Sequence, residues 1–301
     1  MYAIVFNVVS LLPNSYFIGY DGGVHYLPYS SDAGTPGTSL YALCNINSNG
    51  GINYDGYYDG IRGIHFGSEW DALTTINCNN FCANLFRSSP MISITEINFP
   101  SNINYIFGNN FCANMFNGST LLTSLPDGFS LPQTITRVGD FFASGMFVGC
   151  TSLTSLPDGF NLPQAVMSVG YGFCRRMFDT CTSLTYLPTG FNMPQNLQSI
   201  DAYFCYGLFT VCLNLASLPY GFDLPSSWYS IGNYFCYGLF MYCHNLNYGN
   251  EATNTYINIP LNSGSSSLFV YEMFLDAFKL LGDGGFPVTP IQGNSYSIAR
   301  N

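Results

Sequence analysis

The hydrophobic positions of the chain recur with a fixed period. A Leu-Pro pair repeats every 31 residues, beginning at Leu125, Leu156, Leu187 and Leu218. A motif of the type Phe-Cys-x-x-Met-Phe has the same period, beginning at Phe111, Phe142, Phe173, Phe204 and Phe235. Degenerate copies of this motif begin at Phe81 and Phe269. Strict copies flanked by degenerate ones indicate stacked repeats closed by caps at both ends.

Each repeat predicts its own order of elements. In the copy that contains Leu153 and Leu156, polar and apolar residues alternate, which predicts a short strand with these leucines facing inward. The following Pro157-Asp-Gly predicts a turn, because proline fixes φ and glycine allows a positive φ. An extended segment with a second apolar pair, which includes Val169, comes next. Residues 173–178 have apolar positions at i, i+1, i+4 and i+5, the spacing of one face of a short helix.

Stacking such units predicts an α/β solenoid with short parallel strands on one side and short helices on the other. About seven units occupy residues 70–281. Residues 1–69 are predicted to form an N-terminal cap or a small β-rich region, and residues 282–301 a C-terminal cap or tail.

The repeated motif resembles a known family. The run Met-Phe-x-x-Cys-Thr-Ser-Leu-Thr-x-Leu-Pro at Met146 and Met177 is similar to the BspA-like leucine-rich repeat, as are the Ile/Val-Gly-x-x-Phe segments. The resemblance covers residues 70–281, although the unit is longer and richer in Tyr and Asn. It implies a leucine-rich solenoid of the kind found in surface proteins of bacteria, some protists and some phages. Adhesion and protein recognition are the roles suggested for that family, and membership implies no enzymatic activity.

Charge excludes two classes of partner. The chain has 7 Lys+Arg against 17 Asp+Glu, for a net charge of -10. Nucleic acids and anionic membrane surfaces both require clustered cations, so neither is an expected partner. No apolar run reaches the roughly 18 residues of a membrane-spanning helix. Because only 8% of residues are charged, an extracellular, cell-surface or virion location is favoured, although no basic export signal is visible near Met1.

The cysteines fall into two columns, a column being the set of equivalent positions in consecutive repeats. One column contains Cys174 and the other Cys181. Individual repeats lose one thiol and keep the other, as Ala143 with Cys150 illustrates. Obligatory pairs would be lost together, so both columns are interpreted as small buried core positions. Oxidation to pairs of the Cys174–Cys181 type is the alternative.

Catalytic, metal and cofactor sites are not predicted. The three histidines, His25, His65 and His244, lie in unrelated contexts, and cysteine and histidine do not cluster at zinc-binding spacings. Asp127 and Asp158 stand in turns whose later copies carry no carboxylate, so a calcium site is not expected. No glycine-rich phosphate loop is present. We therefore expect no enzyme and no cofactor.

Two candidate surfaces remain. Positions that vary between repeats face solvent in the predicted stack, and they give a candidate binding surface of Tyr171, Arg175, Tyr203, Tyr206, Tyr234 and Tyr237. Filler between stacked helices is the alternative for these tyrosines. The N-terminal segment alternates polar and apolar residues, which predicts an assembly strand with Tyr2, Ile4, Phe6 and Val8.

The expected function follows from these surfaces. The first hypothesis is a non-enzymatic recognition or adhesion protein whose ligand is a protein or a glycan on another surface. The alternative is a structural subunit of an extracellular filament or phage tail, a homopolymer in which copies of the chain join through their terminal regions.

Overall fold

The structure is a computed structural model that describes most of the repeats and separate parts of the ends. It describes residues 16–19, 24–26, 61–66, 74–77, 79–225, 230–246, 257–260, 273, 275, 288–291 and 295–298. The candidate assembly strand of Tyr2, Ile4, Phe6 and Val8 lies outside these residues. The boundaries between the three predicted domains stay predictions.

The secondary structure of the described residues consists of short strands. In chain order they are β1 Tyr16–Gly19, β2 Val24–Tyr26, β3 Ile61–His65, β4 Thr75–Ile76, β5 Glu96–Ile97, β6 Tyr105–Ile106, β7 Arg137–Val138, β8 Ser168–Val169, β9 Ser199–Ile200, β10 Ser230–Ile231, β11 Ile257–Pro260, β12 Val288–Ile291 and β13 Ser295–Ile298.

These strands form three sheets. The largest is parallel, with the order β10-β9-β8-β7-β6-β4, so that consecutive repeats place their strands side by side. The second has the order β2-β1-β3-β5, in which β1 is antiparallel to both neighbours and β3 is parallel to β5. The third, β11-β13-β12, is antiparallel. Parallel strands that recur once per repeat confirm this part of the predicted architecture.

Stacked phenylalanine rings form the core between repeats. Phe142 and Phe173 belong to one column and Phe147 and Phe178 to another, and all four side chains are buried. Within the two columns, from Phe111 and Phe116 onward, neighbouring ring centroids lie 5.2 to 5.6 Å apart. This spacing is close to that between neighbouring strands, so one ring per repeat keeps the stack in register.

The predicted short helix is wrong. Within the described residues the structure has no helix, and residues 173–178 form a ribbon of successive turns. Met177 N–H donates to the carbonyl of Cys174, whereas Phe178 N–H donates to the carbonyl of Leu208 in the next repeat. Left-handed φ angles recur along the ribbon, at Gly172 (66°) and Arg176 (54°). An α-helix requires right-handed φ and an i→i−4 bond at each residue, so it cannot form here.

The paired strand lies later in the repeat than predicted. Leu153 and Leu156 are buried as expected, but the one backbone hydrogen bond between repeats near them, from Thr185 N–H to the Thr154 carbonyl, does not make a strand ladder. The ladder forms instead at the second apolar pair, where β8 contains Val169. The turn between these segments is confirmed, because Phe160 N–H donates to the Pro157 carbonyl and Gly159 has a φ of 82°.

Along the ribbon, N–H groups of one repeat donate to carbonyl groups of the next repeat. In the last strict repeat, the acceptors belong to the degenerate seventh copy. Phe240 N–H donates to the Met273 carbonyl and Tyr242 N–H to the Leu275 carbonyl, both at 2.8 Å. Met273 is also buried. The copy that begins at Phe269 therefore supplies hydrogen-bond acceptors to the repeat before it, as a cap does.

The cysteine columns hold hydrogen-bond donors as well as small core side chains. Cys181 Sγ lies 3.0 Å from the Phe147 carbonyl, to which it donates, and Ser119 Oγ makes the equivalent bond to the Phe86 carbonyl. The nine cysteines that the structure describes are buried, which confirms the predicted location. The thiols that approach each other belong to neighbouring repeats, as Cys205 and Cys236 do at 2.8 Å. Cys and Ser replace each other in this column because both side chains are small and both can donate a hydrogen bond.

Buried thiols are expected to resist modification. Burial raises the pKa of the Cys150 and Cys243 thiols to about 12, so almost no thiolate exists near neutral pH. At about pH 8 we expect the native protein to expose no thiols to Ellman's reagent other than Cys44 and Cys78, which lie outside the described residues. Denaturation in guanidinium should release all eleven. Rapid labelling of a native peptide that contains Cys150 or Cys243, seen by mass spectrometry, would contradict this packing.

Candidate functional site

The six predicted binding residues lie together on the outer side of the turn ribbon. We call Tyr171, Arg175, Tyr203, Tyr206, Tyr234 and Tyr237 the tyrosine face. Arg175, Tyr206 and Tyr237 belong to one column. Tyr203 and Tyr234 belong to a second column, three positions earlier in each repeat, and Tyr171 lies beside that column. The ribbon positions these side chains because its buried phenylalanines hold one face of each turn against the core.

The rings of the tyrosine face contact each other in a continuous array. Centroid distances are 4.8 Å between Tyr203 and Tyr234, 4.9 Å between Tyr206 and Tyr237, and 5.0 Å between Tyr171 and Tyr203. Arg175 completes the array, because its Cζ lies 5.8 Å from the Tyr203 centroid and 5.3 Å from the Tyr206 centroid. All six side chains are half-buried. Mutual stacking and cation–π contact therefore fix the orientation of side chains that still reach solvent.

Two tyrosines of the face have strained backbones. The φ angles of Tyr203 and Tyr234 are 61° and 57°, in the left-handed region that bulky residues rarely adopt. Asn110 and Gly172 in the same column suit this conformation, whereas Phe141, also in this column with a φ of 56°, shares the cost of about 1–3 kcal/mol. Left-handed φ also recurs elsewhere along the ribbon, at Thr180 and Val211, so this conformation is a property of the ribbon and does not distinguish the tyrosine face.

A polar groove borders the tyrosine face and was not predicted from the sequence. It has a volume of about 280 Å³ and is lined by Asn110, Ala113, Asn114, Asn117, Phe141, Ser144, Gly145, Val148, Arg175 and Arg176. Its described lining contains two guanidinium groups and no carboxylate. A sequence signal existed, because Arg175 and Arg176 are adjacent in a chain with only 7 Lys+Arg.

The two arginines of the groove have different partners. Arg176 Nε donates to Asp179 Oδ2, and Asp179 Oδ1 also accepts from Thr180 Oγ1 at 2.8 Å. Arg175 Nε is buried and has no hydrogen-bond partner among the described residues. Arg176 is therefore paired with a carboxylate, whereas the guanidinium of Arg175 makes cation–π contacts with Tyr203 and Tyr206.

A histidine–carboxylate pair was also not predicted. His65 Nδ1 and Glu96 Oε1 form a half-buried hydrogen bond between β3 and β5. The spacing of 31 residues equals the repeat period, which was the available signal. Such a pair can orient an imidazole, but catalysis additionally requires a nucleophile or a bound substrate. Within the part of the chain that the structure describes, no three His, Cys, Asp or Glu residues are grouped as metal ligands.

Comparison with known proteins gives few matches. No family model matches the chain, and no curated protein matches it. A solved leucine rich cell surface protein from Faecalibacterium prausnitzii is similar over 59% of this chain, with 16% sequence identity and a TM-score of 0.27. The match covers 51% of that protein, so the chain spans about half its length. At this TM-score the likeness carries no argument about function. Across the described residues, no helix is long and apolar enough to cross a membrane.

Proposed function

We propose that this chain is a non-enzymatic recognition protein built on a BspA-like leucine-rich solenoid, with the tyrosine face as its binding surface. It acts outside the cell, at a cell surface or on a virion, and binds a protein or a glycan of another surface. The repeated motif and the parallel strands support the solenoid. The array of stacked, half-buried rings in the tyrosine face is the observation that most directly supports a role in recognition.

The tyrosine face has the physical properties of a preorganised binding surface. Tyrosine combines large contact area and a hydroxyl group with few rotatable bonds, so ordering it on binding costs little entropy. Stacking between Tyr206 and Tyr237 lowers this cost further, because both rings are already held. The buried Phe columns repeat almost unchanged, whereas the Tyr206 column also contains Ala113 and Ser144. Variation confined to the outward positions is expected where a scaffold presents a specific surface.

The alternative function stays a prediction. A subunit of a filament or phage tail would assemble through terminal strands, and the candidate strand of Tyr2, Ile4, Phe6 and Val8 lies outside the described residues. The tyrosine face, in contrast, is fully described, and it favours recognition over assembly as the hypothesis to test first.

A binding screen with matched variants tests the proposal. The purified full chain is applied to a printed array of neutral and acidic glycans and to immobilised collagen, fibronectin and mucin. For any probe that binds, Tyr206→Ala and Tyr237→Ala should each weaken binding by about tenfold or more, since tyrosines at the centre of an interface contribute about 2 kcal/mol or more. The fold should tolerate both changes, because Ala83 and Ala113 occupy the same column.

The control is a tyrosine outside the face. Tyr186 is 56% exposed, so Tyr186→Ala removes an aromatic side chain without touching the array. Its affinity should equal that of the unmodified protein. Equal affinity of all three variants would refute the role of the tyrosine face. Failure of every probe, together with concentration-dependent polymers in light scattering, would favour the filament alternative.

A further inference from the structure

The groove beside the tyrosine face has the chemistry of an anion-binding site. Its described lining offers the amide groups of Asn114 and Asn117, the hydroxyl group of Ser144 and the guanidinium groups of Arg175 and Arg176. Two of the chain's 7 Lys+Arg thus lie side by side in one small groove. The pair places positive charge at a concave surface that also offers amide and hydroxyl groups.

Arg175 is oriented for a ligand that supplies an acceptor. Its Nε is buried without a hydrogen-bond partner among the described residues, and a buried unsatisfied donor is destabilising unless something compensates for it. The rings of Tyr203 and Tyr206 hold its guanidinium in place. A carboxylate matches the planar fork of an arginine, so a ligand would pair with the terminal guanidinium nitrogens in the groove and would reach the buried Nε only if neighbouring side chains moved.

Arg176 occupies a backbone position at which the other repeats have asparagine or glycine. The column consists of Asn84, Asn114, Gly145, Arg176, Gly207 and Gly238, all with left-handed φ. Asparagine and glycine are the residues that adopt this conformation readily, and arginine is not. Arg176 pairs with the buried Asp179 through Nε, and the two other nitrogens of its guanidinium are further donors that a ligand in the groove could use.

We propose that this groove binds a carboxylate-bearing sugar residue of an acidic saccharide, with Arg175 and Arg176 as the anion-binding residues. The inference rests on the proposed function and names its ligand class. A volume of about 280 Å³ is at the lower limit of small-molecule pockets, which suits one sugar ring. Amide and hydroxyl groups in the lining can pair with sugar hydroxyls, and the tyrosine face extends from the groove for the neighbouring sugars.

The overall charge of the protein does not prevent this interaction. At physiological ionic strength, salt largely screens interactions between charges more than about 8 Å apart. The net charge of -10 is spread over the whole chain, so most of it is screened from an anion in the groove. The charged groups that line the groove are Arg175 and Arg176, of which Arg176 is paired with Asp179. Binding should therefore weaken as salt is added, because the remaining attraction is electrostatic.

The test uses acidic saccharides and their uncharged counterparts. Probes are hyaluronan oligosaccharides, oligogalacturonates and sialyllactose, each compared with its carboxyl-reduced form or with lactose, and poly-glutamate serves as an acidic peptide. Isothermal titration calorimetry with the full chain measures affinity. At least one acidic saccharide should bind, and its uncharged counterpart should bind at least about tenfold more weakly, since charge-assisted hydrogen bonds are among the strong ones.

Matched variants separate the groove from the tyrosine face. Arg175→Ser introduces the residue that Ser144 provides in the preceding repeat, and Arg176→Gly introduces that of Gly145. Each should weaken acidic-saccharide binding by about tenfold or more. Arg176→Gly also relieves a left-handed arginine but leaves the buried Asp179 without its ion-pair partner, so its melting temperature is measured alongside the affinity. Arg137→Ser is the control, because Arg137 also lies over a ring, 5.7 Å from the Phe107 centroid, but outside the groove.

The outcomes distinguish this inference from the proposed function. Equal binding of charged and uncharged saccharides that is lost in Tyr206→Ala would overturn the carboxylate site and leave the tyrosine face intact. Tight binding of poly-glutamate without any saccharide would overturn the ligand class. Affinity unchanged in both Arg175→Ser and Arg176→Gly, or reduced equally in Arg137→Ser, would overturn the assignment of the groove.

Discussion

Replacing Phe178 with alanine is expected to lower the free energy of unfolding by about 3–5 kcal/mol. The side chain is fully buried, and its ring lies 5.4 Å from that of Phe147 and 5.5 Å from that of Phe209. Its removal deletes one ring from the middle of a continuous column. The neighbours cannot close the gap, because Phe178 N–H remains bonded to the Leu208 carbonyl at 2.9 Å. A cavity therefore remains, and its cost adds to the lost apolar burial.

Urea denaturation followed by circular dichroism measures this loss. Tyr186→Ala is the reference, since removal of an exposed ring should change stability by less than about 0.5 kcal/mol. In a stack each repeat contacts only its neighbours, so the Phe178 variant is also expected to unfold less cooperatively, with a lower denaturant slope. A loss of under about 1.5 kcal/mol would mean that neighbouring repeats relax into the gap, contrary to a close-packed column.

Periodicity predicted the repeats and their buried columns because each repeat must present the same face to the next. The 31-residue spacing of Phe142 and Phe173 requires equivalent environments, and the structure gives both rings the same contacts. The Pro157-Asp-Gly turn was also predictable, because its residues restrict φ locally. These features follow from information within one repeat or between two copies of it.

The turn ribbon was not predictable from hydrophobic spacing. Apolar positions at i, i+1, i+4 and i+5 suit a helix, and they equally suit a ribbon whose left-handed residues recur every four positions, as at Gly172 and Arg176. The choice between the two depends on acceptors in the next repeat, such as the Leu208 carbonyl. Glycine or asparagine in the column of Arg176, inside the predicted helix, was the available signal, since both are poor helix formers.

The tyrosine face could be predicted from the sequence, whereas the groove could not. Tyr206 and Tyr237 were identified because a varying column marks an outward position regardless of the secondary structure. The groove combines side chains from three consecutive repeats, including Asn114, Ser144 and Arg175. Such a combination depends on the path of the ribbon, which was predicted as a helix. The alternative, that these tyrosines fill space between stacked elements, stays a prediction.

Replacing Gly139 with alanine is expected to cost about 2–3 kcal/mol, because the new methyl group would overlap the backbone of the preceding repeat. A Cβ atom at this position would lie 2.7 Å from the Gly108 carbonyl oxygen and 3.1 Å from its carbon. That backbone cannot withdraw freely, since Gly139 N–H donates to the Ile106 carbonyl at 2.8 Å. The variant must therefore stretch this bond or shift the end of β7.

Gly128→Ala separates this steric effect from the conformational one. Gly128 has a φ of 79°, and a methyl group added there would meet no atom within 4 Å, so its replacement costs only the left-handed penalty of about 1 kcal/mol. Both glycines lie in the same repeat, which makes chemical denaturation of the two variants directly comparable. If Gly139→Ala were no more destabilising than Gly128→Ala, the repeats could move apart at this point. The expected order, with Gly139 the more sensitive, follows if backbone contact at Gly108 sets the spacing of the stack.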